Sequence, residues 1–318
     1  MYKRQPYGAC LLGSVNMVAL LNDDYTMNTR SLESTVRLAV RMMDNVVDVS
    51  KFPLPAQEEE AKNKRRIGLG VTGLADALAL GGLVYGSEEA VEQTSKWMKA
   101  IAVAAYQASI DLAKEKGPFP LFDADKFLAT GNMKQMPKHI RDQVREFGIR
   151  NALLTSIAPT GTISLYAGNV SSGIEPIFAH SYERKVMQKD GSKISQVIED
   201  YGVTKWKRDN TGVPLPASFV TAQTLEPIAH VRMQAAAQRW VDSSISKTIN
   251  VPEDINFDDF KQVYMDAYEM GCKGCTTYRP NDVTGSVLTA TEEGQIEEGG
   301  ACELKFDEAS GQLIRSCE

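Results

Sequence analysis

Long amphipathic segments alternate along this chain with short apolar segments, and this alternation limits the folds that the chain can adopt. Apolar side chains recur at helical spacing in four segments. The predicted helices cover residues 29–49, residues 88–116 after the capping residue Ser87, residues 227–240, and residues 257–270 after the capping residue Asn256. In the last helix the pattern places five apolar side chains on the inner face, namely Phe257, Phe260, Val263, Ala267 and Met270.

The segments between the helices have the length and composition of β-strands. They cover residues 13–20, 67–71, 153–157, 245–251 and 275–278. Helices interleaved with strands indicate an α/β domain. Near the end of the chain, the sequence EEGQIEEGG at 292–300 is acidic, rich in glycine and without apolar periodicity, as is typical of a flexible linker. We therefore predict one domain at residues 1–290 and a flexible linker with a cysteine-bearing tail at residues 291–318.

Composition excludes several classes of function. The net charge of -6 gives the chain no overall basic field for binding nucleic acid. No apolar run reaches the roughly 20 residues that cross a membrane, and the first residues lack the apolar core of a signal peptide. We expect a cytoplasmic protein that binds neither nucleic acid nor a membrane. The three histidines are far apart and no second CxxC motif is present, so we predict no metal site.

A loop rich in hydroxyl side chains follows the apolar segment at 153–157. Its residues are Pro159, Thr160, Gly161, Thr162, Ile163 and Ser164. Proline fixes the turn, glycine allows close approach of the backbone, and the hydroxyl groups add donors to the main-chain N–H groups. Such a loop binds phosphate without net positive charge. On the residues alone, an ordinary turn rich in Ser and Thr remains the alternative.

Two further motifs have structural explanations. Gly68, Gly70 and Gly73 match the dinucleotide fingerprint GxGxxG, but a charged run precedes them and no acidic strand end follows about 20 positions later. We interpret these glycines as positions of close packing between a strand and a helix. Cys272 and Cys275 form a CxxC motif after a helix, whereas a redox pair of the thioredoxin type begins one, so we interpret them as structural cysteines.

Several segments together resemble the large, catalytic subunits of ribonucleotide reductases, in the order that this family shows. The segments are PYGACLLGSVNM at 6–17, RRIGLGVTGLADAL at 65–78, IAPTGTISLYAGNVSSGIEP at 157–176, HVRMQAAAQRWVDSSISKTINVP at 230–252 and YEMGCKGCTTYR at 268–279. The resemblance covers about residues 6–290. It implies an α/β fold that is the second half of a ten-stranded barrel with a flexible C-terminal tail.

The resemblance also implies a reaction and its residues. Members of the family reduce ribonucleotides to 2′-deoxyribonucleotides: a thiyl radical abstracts the ribose 3′ hydrogen, and a cysteine pair supplies two electrons. Cys10 matches one cysteine of that pair, and Pro159–Ser164 match the loop that binds the substrate phosphates. The radical cysteine and the partner of Cys10 are expected upstream of Pro6, so we expect the chain alone to be inactive. Cys302 and Cys317 are candidates for a tail pair that re-reduces the site, with incidental thiols in a disordered tail as the alternative.

The late segment at 275–279 favours the adenosylcobalamin-dependent class. Large subunits that take their radical from a separate subunit carry two adjacent tyrosines there, whereas this sequence has only Tyr278. The resemblance therefore implies a ribonucleoside-diphosphate reductase with adenosylcobalamin as cofactor, a ribonucleoside di- or triphosphate as substrate, a homodimer and a thioredoxin-type reductant. Two alternatives are a large subunit that uses a separate radical-generating subunit and a non-catalytic module that binds nucleotide phosphates.

Overall fold

A computed structural model describes residues 6–9, 11–187 and 193–280, together with the backbone of three later strands. The helices are α1 (Thr29–Val49), α2 (Pro55–Lys64), α3 (Leu74–Leu80), α4 (Glu88–Lys116), α5 (Ala124–Leu128), α6 (Gly131–Gln135), α7 (Lys138–Phe147), α8 (Gly161–Tyr166), α9 (Tyr201–Asp209), α10 (Pro227–Gln238) and α11 (Phe257–Glu269). The strands are β1 (Leu11–Asn16), β2 (Ile67–Thr72), β3 (Ser181–Met187), β4 (Lys193–Glu199), β5 (Thr248–Asn250), β6 (Thr276–Tyr278), β7 (Leu288–Ala290), β8 (Glu303–Asp307) and β9 (Gln312–Ser316).

Five parallel segments form the central layer of the domain. β1 pairs with β2, and β2 is bridged to the segment at 153–157 through Leu69 and Thr155. That segment is bridged through Ile157 to Ile245, which begins the fourth segment. The fourth segment continues into β5, and β5 pairs with β6. The layer therefore follows the chain order that the sequence predicts, and the mixed helix and strand content agrees with an α/β domain. Within the described residues the layer is open, so a ten-stranded barrel stays a prediction.

The segment at 153–157 departs from the predicted strand because a side chain takes part of its hydrogen bonding. The carboxylate of Asp242 accepts hydrogen bonds from the backbone N–H groups of Leu154 at 2.9 Å and Thr155 at 2.8 Å. These two groups therefore do not bond to a neighbouring strand. Isolated bridges, and not a continuous ladder, connect the segment to its neighbours.

Helices cover the layer and supply most of the core. α1 contacts β1 and β2, α10 contacts β5, and α4 packs against both helices. The ends of α1 agree with the prediction, and the capping side chains do so as well. Ser87 accepts a hydrogen bond from the backbone N–H of Ala90 at 3.2 Å, and Asn256 accepts one from that of Asp259 at 2.9 Å.

The predicted inner face of α11 is wrong in part. Val263 and Ala267 are buried, but Phe257 is 76% exposed and Met270 is 41% exposed. The reason is that α11 packs on α10 through a narrow stripe, which closes a small second core with residues such as Ile249. Helical periodicity identifies the apolar face of α11, whereas the width of the surface that α10 offers decides how much of that face is covered.

The remaining strands pair in antiparallel fashion, and β3 and β4 lie in the chain between the third and fourth central segments. β3 pairs with β4 and β7, and β8 pairs with β9, with Glu303 opposite Ser316. The predicted linker at 292–300 lies outside the described residues, so its flexibility stays a prediction. No helix in the described ranges is long and apolar enough to span a membrane.

Candidate functional site

A cavity of about 580 Å³ lies where the central segments end. One wall is formed by the loop that follows residues 153–157 and by α8. Another wall is formed by β5 and by the end of β6. The polar residues that line it include Ser164, Ser172, Glu175, Ser246, Thr248, Asn250 and Tyr278. Ligand sites of α/β proteins are found at the carboxyl ends of parallel strands, so this position favours a binding site.

The loop predicted to bind phosphate lies in this cavity. Pro159, Gly161 and Ser164 line it, and Thr162 and Ile163 are exposed. Because α8 begins at Gly161, the backbone N–H groups of its first turn have no acceptor within the helix. A Cβ atom at Gly161 would meet no atom within 4 Å, so the approach to this turn is open. The geometry suits an anion, and phosphate binding stays a prediction.

Hydroxyl groups of the same loop have partners inside the protein. Thr160 is buried with φ of 55°, and its Oγ1 accepts a hydrogen bond from the backbone N–H of Gly173 at 2.6 Å. Thr72 Oγ1 lies 3.2 Å from the same oxygen. Ser164 Oγ donates to the carbonyl oxygen of Gly161 at 3.1 Å and bonds with Ser172 Oγ at 3.0 Å. These two side chains hold the loop, which leaves its backbone N–H groups and the exposed hydroxyl group of Thr162 as donors for a ligand.

The turn that contains Gly173 is held at further points. Gly173 has φ of 58°, and a Cβ atom there would meet the carbonyl oxygen of Ala158 at 3.0 Å. The buried hydroxyl of Tyr85 donates to the carbonyl oxygen of Ile174 at 2.6 Å. This turn is therefore a rigid part of the cavity wall, and it places Glu175 at the cavity.

Glu175 is joined to two residues that the sequence analysis did not select, Lys247 and His230. Lys247 Nζ donates to Glu175 Oε2 at 2.5 Å, to His230 Nδ1 at 2.8 Å and to the carbonyl oxygen of Thr248. Glu175 Oε1 accepts from the backbone N–H of Thr248 at 2.7 Å. The available signal was the alternation in the predicted strand at 245–251, which places Lys247 on the same side as Ile245, Ile249 and Val251. A lysine buried on an apolar face requires a partner.

Burial determines the protonation of this network. It lowers the pKa of His230 to about 3, and the positive charge of Lys247 contributes to the shift. The imidazole is therefore neutral, and its Nδ1 accepts from the ammonium group. Burial also lowers the pKa of Lys247, while the negative charge of Glu175 opposes that shift.

A second buried pair, Asp76 and Asp200, lies beside the cavity. Asp76 Oδ2 accepts from the backbone N–H of Ser171 at 3.0 Å, and Asp200 Oδ1 accepts from that of Val203 at 3.2 Å at the start of α9. Burial raises the pKa of Asp76 to about 7. Burial, and then the charge of Asp76, raise the pKa of Asp200 well above its usual range. Two adjacent buried carboxyl groups hold one proton between them, so the pair carries less negative charge than its composition suggests.

The cysteines predicted to do chemistry, Cys10, Cys302 and Cys317, lie outside the described residues. Cys272 and Cys275 are free thiols. Burial raises the pKa of Cys272 to about 11 and also raises that of Cys275. A reactive cysteine has a lowered pKa, so these values agree with the structural interpretation of the CxxC motif.

The glycines of the GxGxxG motif do not form a nucleotide loop. Gly68 and Gly70 lie within β2. A Cβ atom at Gly70 would meet the carbonyl oxygen of Ser156 at 2.3 Å, and Gly73 adopts φ of 70° in the turn before α3. The motif therefore serves packing, as predicted, although Gly70 packs on the neighbouring parallel segment and not on a helix. In the described part of the chain, no group of three or more His, Cys, Asp or Glu residues could hold a metal ion.

Comparison with known families identifies the domain. The family described as ribonucleotide reductase, barrel domain, matches residues 2–278. The chain belongs to this ribonucleotide reductase family. The matched range includes the whole of the cavity and the buried Glu175–Lys247–His230 network.

Relatives of this reductase domain carry two kinds of name. A vitamin B12-dependent ribonucleoside-diphosphate reductase of Mycobacterium tuberculosis (strain CDC 1551 / Oshkosh) is 38% identical over 98% of this chain and 44% of its own length. A protein of the same name from Thermoplasma acidophilum is 35% identical over 94% of this chain and 39% of its own length. A ribonucleoside-diphosphate reductase subunit alpha of Chlamydia pneumoniae is 27% identical over 85% of this chain and 29% of its own length. The chain thus spans less than half the length of these relatives.

Proposed function

We propose that the protein containing this chain reduces ribonucleoside diphosphates to 2′-deoxyribonucleotides by thiyl-radical chemistry, with adenosylcobalamin as cofactor. The observation that carries the proposal is the cavity at the ends of the parallel segments of a reductase barrel domain. One wall offers backbone donors for phosphate, and another offers hydroxyl and amide groups for a nucleoside. The names of the M. tuberculosis and T. acidophilum relatives support a diphosphate substrate and a B12 cofactor.

In this proposal the wall at α8 binds the substrate phosphates. The first-turn N–H groups at Gly161, Thr162 and Ile163 receive them, and the buried side chain of Thr160 keeps the turn in place. Clamping the phosphates fixes the ribose relative to the reacting sulfur atoms, and such positioning contributes a large part of a rate enhancement.

Cys10 is proposed as one cysteine of the reducing pair. The pair gives two electrons and two protons to the substrate and becomes a disulfide, while the ribose 2′ hydroxyl group leaves as water. A thioredoxin-type reductant then restores the two thiols, and Cys302 and Cys317 of the tail are proposed to pass electrons to them.

The proposal extends to the assembly of the domain. β1 and β6 are the outer members of the open layer, and each pairs on one side within the described residues. The family that matches this chain is described as a barrel domain, so we propose that further strands complete a ten-stranded barrel. Residues 1–290 belong to that barrel and residues 291–318 form the tail. We also propose a cytoplasmic homodimer.

Adenosylcobalamin would supply the initial radical, and this cavity by itself does not fit it. A volume of about 580 Å³ suits one nucleotide-sized ligand, and a corrin ring would need additional space and contacts. We therefore derive no step through the cofactor. The presence of Thr277 and Tyr278, in place of two adjacent tyrosines, supports a cobalamin enzyme over one that uses a separate radical-generating subunit.

An activity assay on the complete protein tests the proposal. We expect conversion of cytidine diphosphate to its 2′-deoxy form, with dithiothreitol as reductant, only when adenosylcobalamin is added. Cys10→Ser should abolish multiple turnovers and leave cytidine diphosphate binding unchanged. Turnover without cobalamin would contradict the cofactor and favour the class of the C. pneumoniae subunit alpha. Nucleotide binding without any turnover would favour a non-catalytic module.

A further inference from the structure

Glu175 presents a carboxylate to a cavity that is proposed to bind an anion. Its side chain is 26% exposed and lines the cavity. No Lys or Arg is among the described residues that line this cavity. A carboxylate repels a phosphate group and attracts hydroxyl groups, which donate hydrogen bonds to it. Glu175 is therefore suited to a hydroxylated part of the ligand.

Both oxygen atoms of Glu175 are held and both keep acceptor capacity. From the described residues, Oε2 accepts one hydrogen bond, from Lys247 Nζ at 2.5 Å, and Oε1 accepts one, from the backbone N–H of Thr248 at 2.7 Å. A carboxylate oxygen has about two acceptor positions, so one position remains on each. Two parallel acceptors match two neighbouring hydroxyl groups, as on a ribose ring.

Lys247 has no donor left for a ligand. An ammonium group has three N–H donors, and those of Lys247 go to Glu175, His230 and the carbonyl oxygen of Thr248. The side chain is 0% exposed. Its contribution to binding must therefore pass through Glu175, whose charge it compensates and whose orientation it fixes.

We propose that Glu175 accepts hydrogen bonds from the ribose hydroxyl groups of the substrate and that Lys247 is its positioning residue. The inference rests on the proposed function, because it assigns a part of the same substrate to a second wall of the same cavity. His230 completes the arrangement as a neutral acceptor beneath Lys247.

Calorimetric binding to the complete protein, without cobalamin so that no turnover occurs, tests the inference. The ligands are cytidine diphosphate, 2′-deoxycytidine diphosphate, uridine diphosphate and pyrophosphate. We expect Glu175→Gln to weaken binding of both ribonucleotides by about tenfold, because a hydrogen bond to a charged group is lost. Binding of the deoxynucleotide should weaken less, and binding of pyrophosphate should not change.

Variants of Lys247 separate positioning from folding. Lys247→Met should reduce the preference for ribose over deoxyribose as Glu175→Gln does, and Lys247→Arg should restore part of it. Glu60→Gln is the control, since Glu60 has a partly buried side chain in ion pairs with Lys64 and Arg66 and does not line the cavity. Thermal unfolding shows whether Lys247→Met is folded. If it is not, Glu175→Gln and Lys247→Arg carry the test.

The outcomes distinguish this inference from the proposed function. An unchanged ribose preference in Glu175→Gln, or an equal loss for all ligands including pyrophosphate, would overturn the role of Glu175 and leave the phosphate wall intact. A loss confined to cytidine diphosphate would indicate a contact with the base amino group and overturn the ribose assignment. If the unmodified protein binds neither nucleotide nor pyrophosphate, the proposed function fails and this inference fails with it.

Discussion

Asp76 and Asp200 show how burial changes the charge of a site. Two ionised carboxyl groups beside the cavity would repel the phosphate groups that it is proposed to bind. Burial raises the pKa of Asp76 to about 7, and burial and then the charge of Asp76 raise the pKa of Asp200 well above its usual range. The pair therefore keeps a proton near neutral pH, and the repulsion between the cavity and an anion is reduced.

A pH dependence of stability follows from the shifted pKa of Asp76. The pKa in the folded state lies above the ordinary value of 3.8, so the stability that this carboxyl group contributes is fully present below pH 3.8 and is lost as the pH rises through about 7. At pH 8 we expect Asp76→Asn to be more stable than the unmodified protein by on the order of 2 kcal/mol in the free energy of unfolding. Urea unfolding measures this difference. The difference should shrink towards pH 5.

Asp209→Asn is the control for this measurement. The hydrogen bonds from Lys205 and then Arg208 lower the pKa of Asp209 to about 2, so its contribution is lost only in acid, as the pH falls through that value. Between pH 5 and 8 the difference in unfolding free energy between Asp209→Asn and the unmodified protein should not vary with pH. A stability difference of Asp76→Asn that does not vary over this range would contradict the shifted pKa.

At the scale of elements, the first turn of α8 is held by the buried side chain of Thr160, which does not line the cavity. Thr160 has φ of 55°, which is strained for a β-branched residue. Its hydroxyl group binds the backbone N–H of Gly173 and so ties the loop to the neighbouring turn. The proposed anion site is therefore built by the contact between two loops.

Replacement of Thr160 tests this dependence. Thr160→Val removes the acceptor for a buried N–H group and should weaken pyrophosphate binding by about fivefold to tenfold, since an unsatisfied buried donor costs about 1–3 kcal/mol. Thr160→Ser keeps the hydroxyl group and should bind nearly as the unmodified protein does. Calorimetric titration measures both, and equal affinities of the two variants would show that the hydroxyl group does not support the loop.

At the scale of the whole molecule, a parallel layer that is open within the described residues is followed by an acidic segment. The composition of residues 292–300 predicts a boundary between the barrel portion and the tail. We expect a protease that cuts after glutamate to cleave there before it cleaves within residues 6–187. Mass spectrometry of the early fragments makes the measurement, and first cleavage in α4, whose Glu115 is exposed, would contradict the division.

Much of the fold was accessible from the sequence because its signals are local. Apolar periodicity and the caps Ser87 and Asn256 predicted the long helices, and the five central segments appear in the predicted order. The exposure of Phe257 was not accessible, because it depends on the width of the surface that α10 offers. The broken ladder at 153–157 was also not accessible, because its N–H groups bond to Asp242, which is distant along the chain.

The sequence by itself determined the family, the order of the elements and the loop at 159–164 as the candidate phosphate site. Only the tertiary structure decided which groups face the cavity. It turned the hydroxyl groups of Thr160 and Ser164 inward and brought Glu175 to Lys247, 72 residues apart in the chain. The physical reason is that a short motif specifies local backbone geometry, whereas the charge and hydrogen bonding of a buried group are set by neighbours from distant segments.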